Sequence, residues 1–158
     1  MKFACIASSS DQAKLSYEQL AANHDFVEPD EADVILALGG DGLMLHALHK
    51  FLDAGKPIYG LNCGTVGFLM NELQDEDLAS RVSNAEETSV FPLQMTATSV
   101  DGGTHQLLAF NEVSVIRYSH QTANLRLAIN GIERIGKLAC DGVLVATPMG
   151  STAYNLSA

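Results

Sequence analysis

A carboxylate lies inside a glycine loop in the segment Gly39–Gly42, which reads GGDG and follows the apolar run Val34–Leu38. Glycines between a strand and a helix let the backbone approach a phosphate closely, and the helix start supplies free N–H groups. Asp41 would repel a phosphate there, so its presence makes sense if it faces a hydroxyl group or holds Mg²⁺. Beside a hydroxyl it can accept the proton during phosphoryl transfer. The alternative is that Asp41 only caps a helix over residues 42–54.

A second glycine loop, residues 62–69 (NCGTVGFL), follows the next predicted strand. Loops at the carboxyl ends of parallel strands lie on the same side of a sheet, so this loop can face Asp41. Thr65 offers a hydroxyl group, and the Phe68 ring can pack on a flat ring such as a base. The alternative is a plain glycine turn with Phe68 in the core.

The dipeptide Asn-Glu occurs twice, in different surroundings. Asn71-Glu72 lies in a polar stretch, which predicts a solvated loop. Asn111-Glu112 interrupts the apolar run LLAFNEVSVI, where neighbouring residues of a strand point to opposite faces. One of the two side chains is then expected to be buried and to need hydrogen-bond partners, such as the vicinal hydroxyls of a ribose. The alternative is an edge strand with both side chains exposed.

The segment 140–158, CDGVLVATPMGSTAYNLSA, contains the densest set of candidate ligand-binding groups. Asp141 precedes a predicted strand, and Ser151 or Thr152 is expected to cap a helix with free N–H groups. Tyr154 offers a ring that can stack on a base, and Ser157 a hydroxyl that can bond to a base or sugar. A capped helix after a turn would also account for most of this pattern.

The elements that must position these groups alternate between strands and helices in the first part of the chain. Apolar runs predict buried strands, and amphipathic segments between them predict helices, in the order βαβαβ. This order implies a doubly wound, mostly parallel α/β lobe over residues 1–91. Glycine turns and alternating patterns after Phe91-Pro92 predict hairpins, one of them closed by Asn130-Gly131. We therefore expect a mainly β second lobe over residues 92–158.

The second lobe has few predicted strands with which to close a sheet. Ala158 also follows its predicted helix cap by only about two turns, with no signal for a helix end. We interpret the β lobe as incomplete and the chain as a truncated part of a longer one.

Composition narrows the class of protein. The 158 residues are 47% hydrophobic, enough for a core, and their formal charge of −10 argues against nucleic acid or a membrane surface as partner. Cys5, Cys63 and Cys140 lack paired spacing, and no signal peptide is visible, which predicts a cytoplasmic protein with reduced thiols. His46 and His49 are one helical turn apart, but no motif supplies a third ligand, so no metal site is predicted in the chain itself.

Four segments in this order, GGDG, NCGTVGFL, FNEVSV and DGVLVATPMGSTAYNLSA, resemble those of the NAD kinase family. The first is shared with 6-phosphofructokinases and with diacylglycerol and sphingosine kinases, whereas the Asn-Glu pair and the last segment are more specific. The resemblance spans Met1–Ala158 and implies an α/β lobe followed by an all-β lobe. It also implies transfer of a phosphoryl group from ATP to the 2′-hydroxyl of the adenosine ribose of NAD, which yields NADP.

The resemblance implies a role for each matching residue of this chain. Asp41 would be the catalytic base near the 2′-hydroxyl, Gly42 would contact the nucleotide through its backbone, and Phe68 would line the adenine pocket. Asn111 and Glu112 would hold the ribose and neighbouring groups of NAD. The other implied contacts to NAD are Asp141, on the nicotinamide side, and Thr152, Ala153, Tyr154 and Ser157.

The resemblance also implies cofactors and partners. ATP, or polyphosphate in some members, would be the phosphoryl donor, with a divalent metal that we take to be Mg²⁺, and the assembly would be a homodimer or homotetramer. Leu43 stands where the family often has threonine, which removes a hydroxyl near the phosphate. Two alternatives stay open: another GGDG-type kinase that acts on a lipid or sugar, and a catalytically incomplete fragment that only binds NAD.

Overall fold

The computed structural model describes residues 1–64, 67–74 and 77–158 of the chain. The chain divides into two compact units, Met1–Thr88 and Ser89–Ala158. The predicted role of the Thr65 hydroxyl lies outside the described residues.

The first unit contains a parallel sheet with helices on both faces. Its strands, in spatial order, are β1 (Phe3–Ala7), β2 (Val34–Gly39), β3 (Ile58–Asn62) and β4 (Asn71–Glu72). Its helices are α1 (Asp11–Asn23), α2 (Asp41–Lys50) and α3 (Leu78–Ser83), and a short 3₁₀ turn spans Pro29–Glu31. The predicted doubly wound α/β lobe is thereby confirmed.

The environment of strand β2 explains why its sequence is an uninterrupted apolar run. All six of its residues are buried, because helices cover both faces of the sheet. Leu36 and Leu38 belong to the cluster that contains Leu20 of α1 and Leu78 of α3. Ile35 and Ala37, which point to the opposite face, pack with Ala47 and Phe51 near α2. The strand therefore ends at the glycine loop with its direction fixed from both sides.

The second unit consists of antiparallel strand pairs, as expected. The pairs are β5 (Leu93–Thr98) with β6 (Thr104–Ala109), β7 (Glu112–Ile116) with β10 (Gly142–Ala146), and β8 (Ala123–Ile129) with β9 (Ile132–Cys140). A 3₁₀ turn, Met149–Thr152, and a short helix, α4 (Tyr154–Ser157), follow β10. Asn130 and Gly131 have φ values of 52° and 76°, the left-handed conformation of the predicted two-residue hairpin turn.

Both Asn-Glu pairs depart from the local prediction. Asn71 and Glu72 are exposed, as expected, but they form the short edge strand β4 rather than a loop. The apolar run around Asn111-Glu112 is not one strand, because β6 ends at Ala109 and β7 begins at Glu112.

No helix among the described residues combines the length and apolar character needed to cross a membrane.

Candidate active site

The Asp41 carboxylate binds the second glycine loop. Its Oδ2 accepts the backbone N–H of Phe68 at 3.0 Å, and its Oδ1 accepts the N–H of Leu69 at 2.9 Å. Asp41 is the first residue of α2, and Gly40 occupies the capping position without a side-chain bond. The prediction that Asp41 caps the helix is therefore wrong, because its oxygens are turned to a loop 27 and 28 residues away. The prediction that the two glycine loops face each other is confirmed.

Gly67 makes this approach possible. A Cβ built on Gly67 would collide with Oδ1 of Asp41 and lie 3.0 Å from its Cγ, so only glycine fits without displacing the carboxylate. The Phe68 ring is 79% exposed, and the alternative that placed it in the core is wrong. Gly42 is also exposed, with open space where a Cβ would point. The first unit thus presents a fixed carboxylate beside an exposed aromatic ring and a helix start.

Asn111 and Glu112 are held against the segment that follows β10. The Asn111 carbonyl accepts the Thr147 N–H at 2.8 Å. The buried Thr147 hydroxyl donates to the Phe110 carbonyl at 2.5 Å and accepts the Gly150 N–H at 2.9 Å. A Cβ on Gly150 would collide with the Asn111 carbonyl, so this position also requires glycine. These contacts therefore hold residues 110–112 directly against residues 147–150.

Glu112 has a buried carboxylate oxygen. Among the described residues, its Oε2 has no hydrogen-bond partner, although a buried carboxylate oxygen normally has one. Both Asn111 and Glu112 are partly buried, so the alternative of an edge strand with two exposed side chains is wrong.

Asp141 lies at the opposite end of the β7–β10 pair from Asn111. Gly142 pairs with Ile116 and Ala146 with Glu112, which separates the two ends by roughly 15 Å at the usual rise per strand residue. The Asp141 carboxylate, 83% exposed, accepts the Arg117 Nε–H at 2.5 Å. The structure therefore does not bring Asp141 to the Asn111-Glu112 pair within this unit.

The last segment differs from the predicted capped helix. Thr152 ends the 3₁₀ turn, and Ala153, whose φ of −87° and ψ of −133° are neither helical nor extended, separates this turn from α4. The Ser151 hydroxyl donates to the Pro148 carbonyl at 2.7 Å, so neither Ser151 nor Thr152 caps the helix. The hydroxyl that binds a backbone N–H of the turn belongs to Thr147.

The other two candidate binding residues in this segment, Tyr154 and Ser157, are exposed to solvent. Tyr154 is 44% exposed, and the Ser157 hydroxyl donates to the Tyr154 carbonyl at 3.2 Å. Thr147 was not among the predicted site residues; its signal in the sequence is a hydroxyl at the end of an apolar strand, directly before Pro148 and three residues before Gly150.

A cleft of about 820 Å³ lies elsewhere at the carboxyl edge of the first sheet. Its lining residues are Gln12, Asn62, Cys63, Gly64, Met70, Asn71, Glu72 and Leu73. Asp41, Gly42 and Phe68 are not among these residues. The cleft is thus lined by residues on either side of the Gly67–Leu69 segment but not by Asp41 itself.

The cysteines are poor candidates for nucleophiles. Burial and the nearby Cys63 raise the pKa of Cys5 to about 12, and burial also raises the pKa of Cys63 despite a hydrogen bond with Ser16. Both therefore stay thiols at neutral pH, and thiols are weak nucleophiles.

Within the described residues there is no cluster of three or more metal-ligating side chains around His46 and His49 or elsewhere.

Comparison with solved structures establishes the class of fold. The yeast NADH kinase, in its crystal structure complexed with NADH, aligns with 100% of this chain and 57% of its own, with a TM-score of 0.71 and 20% sequence identity. At this identity the match shows a shared fold, which combines a parallel sheet flanked by helices with antiparallel β-structure.

Sequence comparison establishes the family. The ATP-NAD kinase N-terminal domain matches residues 1–88, and the ATP-NAD kinase C-terminal domain matches residues 110–158. The NAD kinase of Rhizobium meliloti (strain 1021) is 50% identical over 98% of this chain and 60% of its own length. The NAD kinase of Caulobacter vibrioides is 49% identical over 100% of this chain and 60% of its own. The chain belongs to the ATP-NAD kinase family and spans about 60% of the length of these relatives.

Proposed function

We propose that this protein transfers the γ-phosphoryl group of ATP to the 2′-hydroxyl of the adenosine ribose of NAD, which yields NADP and ADP. The observation that carries the proposal is the Asp41 carboxylate, held between two glycine loops of an ATP-NAD kinase family chain. The family comparison favours this reaction over a lipid or sugar kinase. Asp41 accepts the hydroxyl proton, the ribose oxygen bonds to the γ-phosphorus, and the bond from that phosphorus to the β,γ-bridging oxygen of ATP breaks.

The contacts of Asp41 leave it able to act as a base. Each carboxylate oxygen accepts one backbone N–H, and a carboxylate has about four lone-pair sites in all. Counting contacts with the described residues alone, one site on each oxygen therefore stays available for the hydroxyl. The two N–H bonds fix the plane of the carboxylate, so a hydroxyl meets an acceptor whose direction is already set.

Residues of the second unit are the proposed contacts to the ribose of NAD. We assign the partly buried Glu112 carboxylate to a ribose hydroxyl, with Asn111 beside it. We assign Phe68 to the adenine, Gly42 to the nucleotide through its backbone, and Tyr154 to stacking. The remaining proposed contacts are Asp141 on the nicotinamide side, with Thr152, Ala153 and Ser157. The exposure of the Phe68 and Tyr154 rings supports their roles, since a buried ring could not stack on a ligand.

ATP is the proposed phosphoryl donor, with polyphosphate as a second possibility, and Mg²⁺ the proposed metal. Mg²⁺ takes most of its ligands from phosphates and water, so ATP would supply most of its contacts. When bound, Mg²⁺ would neutralise charge on the transferred phosphoryl group. Assembly as a homodimer or homotetramer and a cytoplasmic location stay predictions from the sequence.

A direct assay tests the proposal. The protein is incubated with ATP, Mg²⁺ and NAD, and NADP is measured with an NADP-specific dehydrogenase. We expect NADP to form with ADP in a one-to-one ratio. Diacylglycerol, sphingosine and fructose 6-phosphate serve as competing acceptors; turnover of one of these without NADP would favour the other kinase class. Binding of NAD by calorimetry without any turnover would favour the binding-only alternative.

The variant Asp41→Asn tests the base. Because an amide cannot take the proton, we expect kcat to fall about 10²- to 10⁴-fold, with a much smaller change in NAD affinity. Calorimetry with NAD and the NADP assay are run on the same preparation. Undiminished kcat in this variant would contradict the assignment of Asp41.

A further inference from the structure

The segment Gly67–Leu69 surrounds the Asp41 carboxylate on three sides. Two successive N–H groups, those of Phe68 and Leu69, bind different oxygens of the carboxylate. The Cα of Gly67 approaches the same group so closely that no side chain fits between them. The carboxylate is therefore fixed in both its plane and its position by backbone alone.

We propose that Gly67 is a positioning residue for catalysis, which holds the Asp41 carboxylate in its reactive orientation without contact to substrate. This inference rests on the proposed function, since it assigns the cradle formed by Gly67–Leu69 to the base of that reaction. A hydroxyl proton moves to a carboxylate efficiently only when the acceptor lies within hydrogen-bond reach and in line. The cradle provides that alignment before NAD binds.

Collision with Asp41 makes Gly67 a selective probe. The atoms that a Cβ at Gly67 meets are the end of the Asp41 side chain, which can rotate away. By contrast, a Cβ at Gly142 or Gly150 would meet backbone, which cannot move without distortion of the fold. The substitution Gly67→Ala should therefore leave the chemical identity of Asp41 intact and change only its position.

A matched control lies three residues away. Among the described residues, no atom lies within 4 Å of a Cβ built on Gly64, and Gly64 has no positive φ that would strain alanine. Gly64→Ala therefore makes the same chemical change in the same loop without contact to Asp41. Any effect of lost glycine flexibility should appear in both variants, whereas displacement of the carboxylate should appear in one.

Steady-state kinetics on the wild type, Gly67→Ala and Gly64→Ala test the proposal. We expect kcat to fall about 100-fold in Gly67→Ala, the size of effect that misplacement by about 1 Å produces. KM for NAD and for ATP should stay within about threefold, and so should all constants of Gly64→Ala. Equal kcat in the two variants would overturn the proposal. A parallel loss of kcat, NAD binding and Tm in Gly67→Ala would also overturn it, because it would indicate damage to the fold.

Hydrogen exchange tests the cradle independently of activity. The amides of Phe68 and Leu69 should exchange slowly in the wild type and at least tenfold faster in Asp41→Ala, which removes the acceptor, and in Gly67→Ala, which displaces it. Unchanged exchange in both variants would refute the cradle even if the enzyme is active. A wild type that makes no NADP would instead refute the proposed function, and the exchange rates would still decide whether the cradle exists.

Discussion

Glu112 is the residue whose local energetics most directly suggest a ligand. A buried carboxylate oxygen without a partner among the described residues is unfavourable in the free protein. If Glu112 only stabilised the fold, we would expect its buried carboxylate oxygen to have a hydrogen-bond partner. A rotation of the side chain that brings this oxygen to a ligand hydroxyl would satisfy it, and hydrogen bonds to charged groups are the stronger kind.

The variant Glu112→Gln should separate stability from binding. The neutral amide has nearly the same shape, so we expect Tm of the free protein to hold or rise. NAD affinity should fall roughly tenfold, because a charged acceptor is lost. Calorimetry with NAD and thermal unfolding measure the two effects. Glu133→Gln, on the exposed face of β9, is the control and should change neither; unchanged NAD affinity in Glu112→Gln would remove Glu112 from the site.

At the level of elements, the features that depend on local sequence patterns were predicted correctly, whereas individual contacts between residues far apart in the sequence were not. The buried run of β2 and the Asn130-Gly131 turn are local, and both were predicted correctly. The parallel strand order correctly placed the second glycine loop opposite Asp41, but no spacing rule identified the N–H groups of Phe68 and Leu69 as its partners. The helix cap predicted at Ser151 or Thr152 failed because a distant carbonyl, that of Asn111, determines how the turn packs.

The Thr147 hydroxyl connects the turn after β10 to Phe110, which lies more than thirty residues earlier in the sequence. Substitutions at Thr147 test what this hydroxyl contributes. Thr147→Val keeps the shape but leaves the Gly150 N–H without its acceptor, so we expect unfolding free energy to fall by about 1–3 kcal/mol. NAD affinity should fall as well, since the turn and Asn111 lose their link. Thr147→Ser restores the hydroxyl and should recover most of both. Urea unfolding and calorimetry measure the changes; equal stability of the Val and Ser variants would show that the hydroxyl does not join the segments.

At the scale of the whole molecule, the two units are stabilised differently. Among the described residues, every buried hydrophobic side chain except Phe110 belongs to Met1–Thr88. In the second unit, many apolar side chains of the strands are exposed, among them Leu107, Ile116 and Val145. The first unit therefore has its own hydrophobic core, whereas the second depends more on backbone pairing within its hairpins.

Limited proteolysis tests this division of the chain. Residues 85–92 contain no helix or strand and are mostly exposed, and Glu86 and Glu87 lie within them. A glutamate-specific protease should cut there first, because a site such as Glu18 in α1 or Glu133 in β9 requires its element to unfold. The fragment 1–87 should then outlast 88–158, since it retains the hydrophobic core. Mass spectrometry over time measures both, and the double variant Glu86→Gln, Glu87→Gln should lose the first cut. An initial cut at Glu18 would contradict the boundary, and faster loss of 1–87 would contradict the assignment of the core.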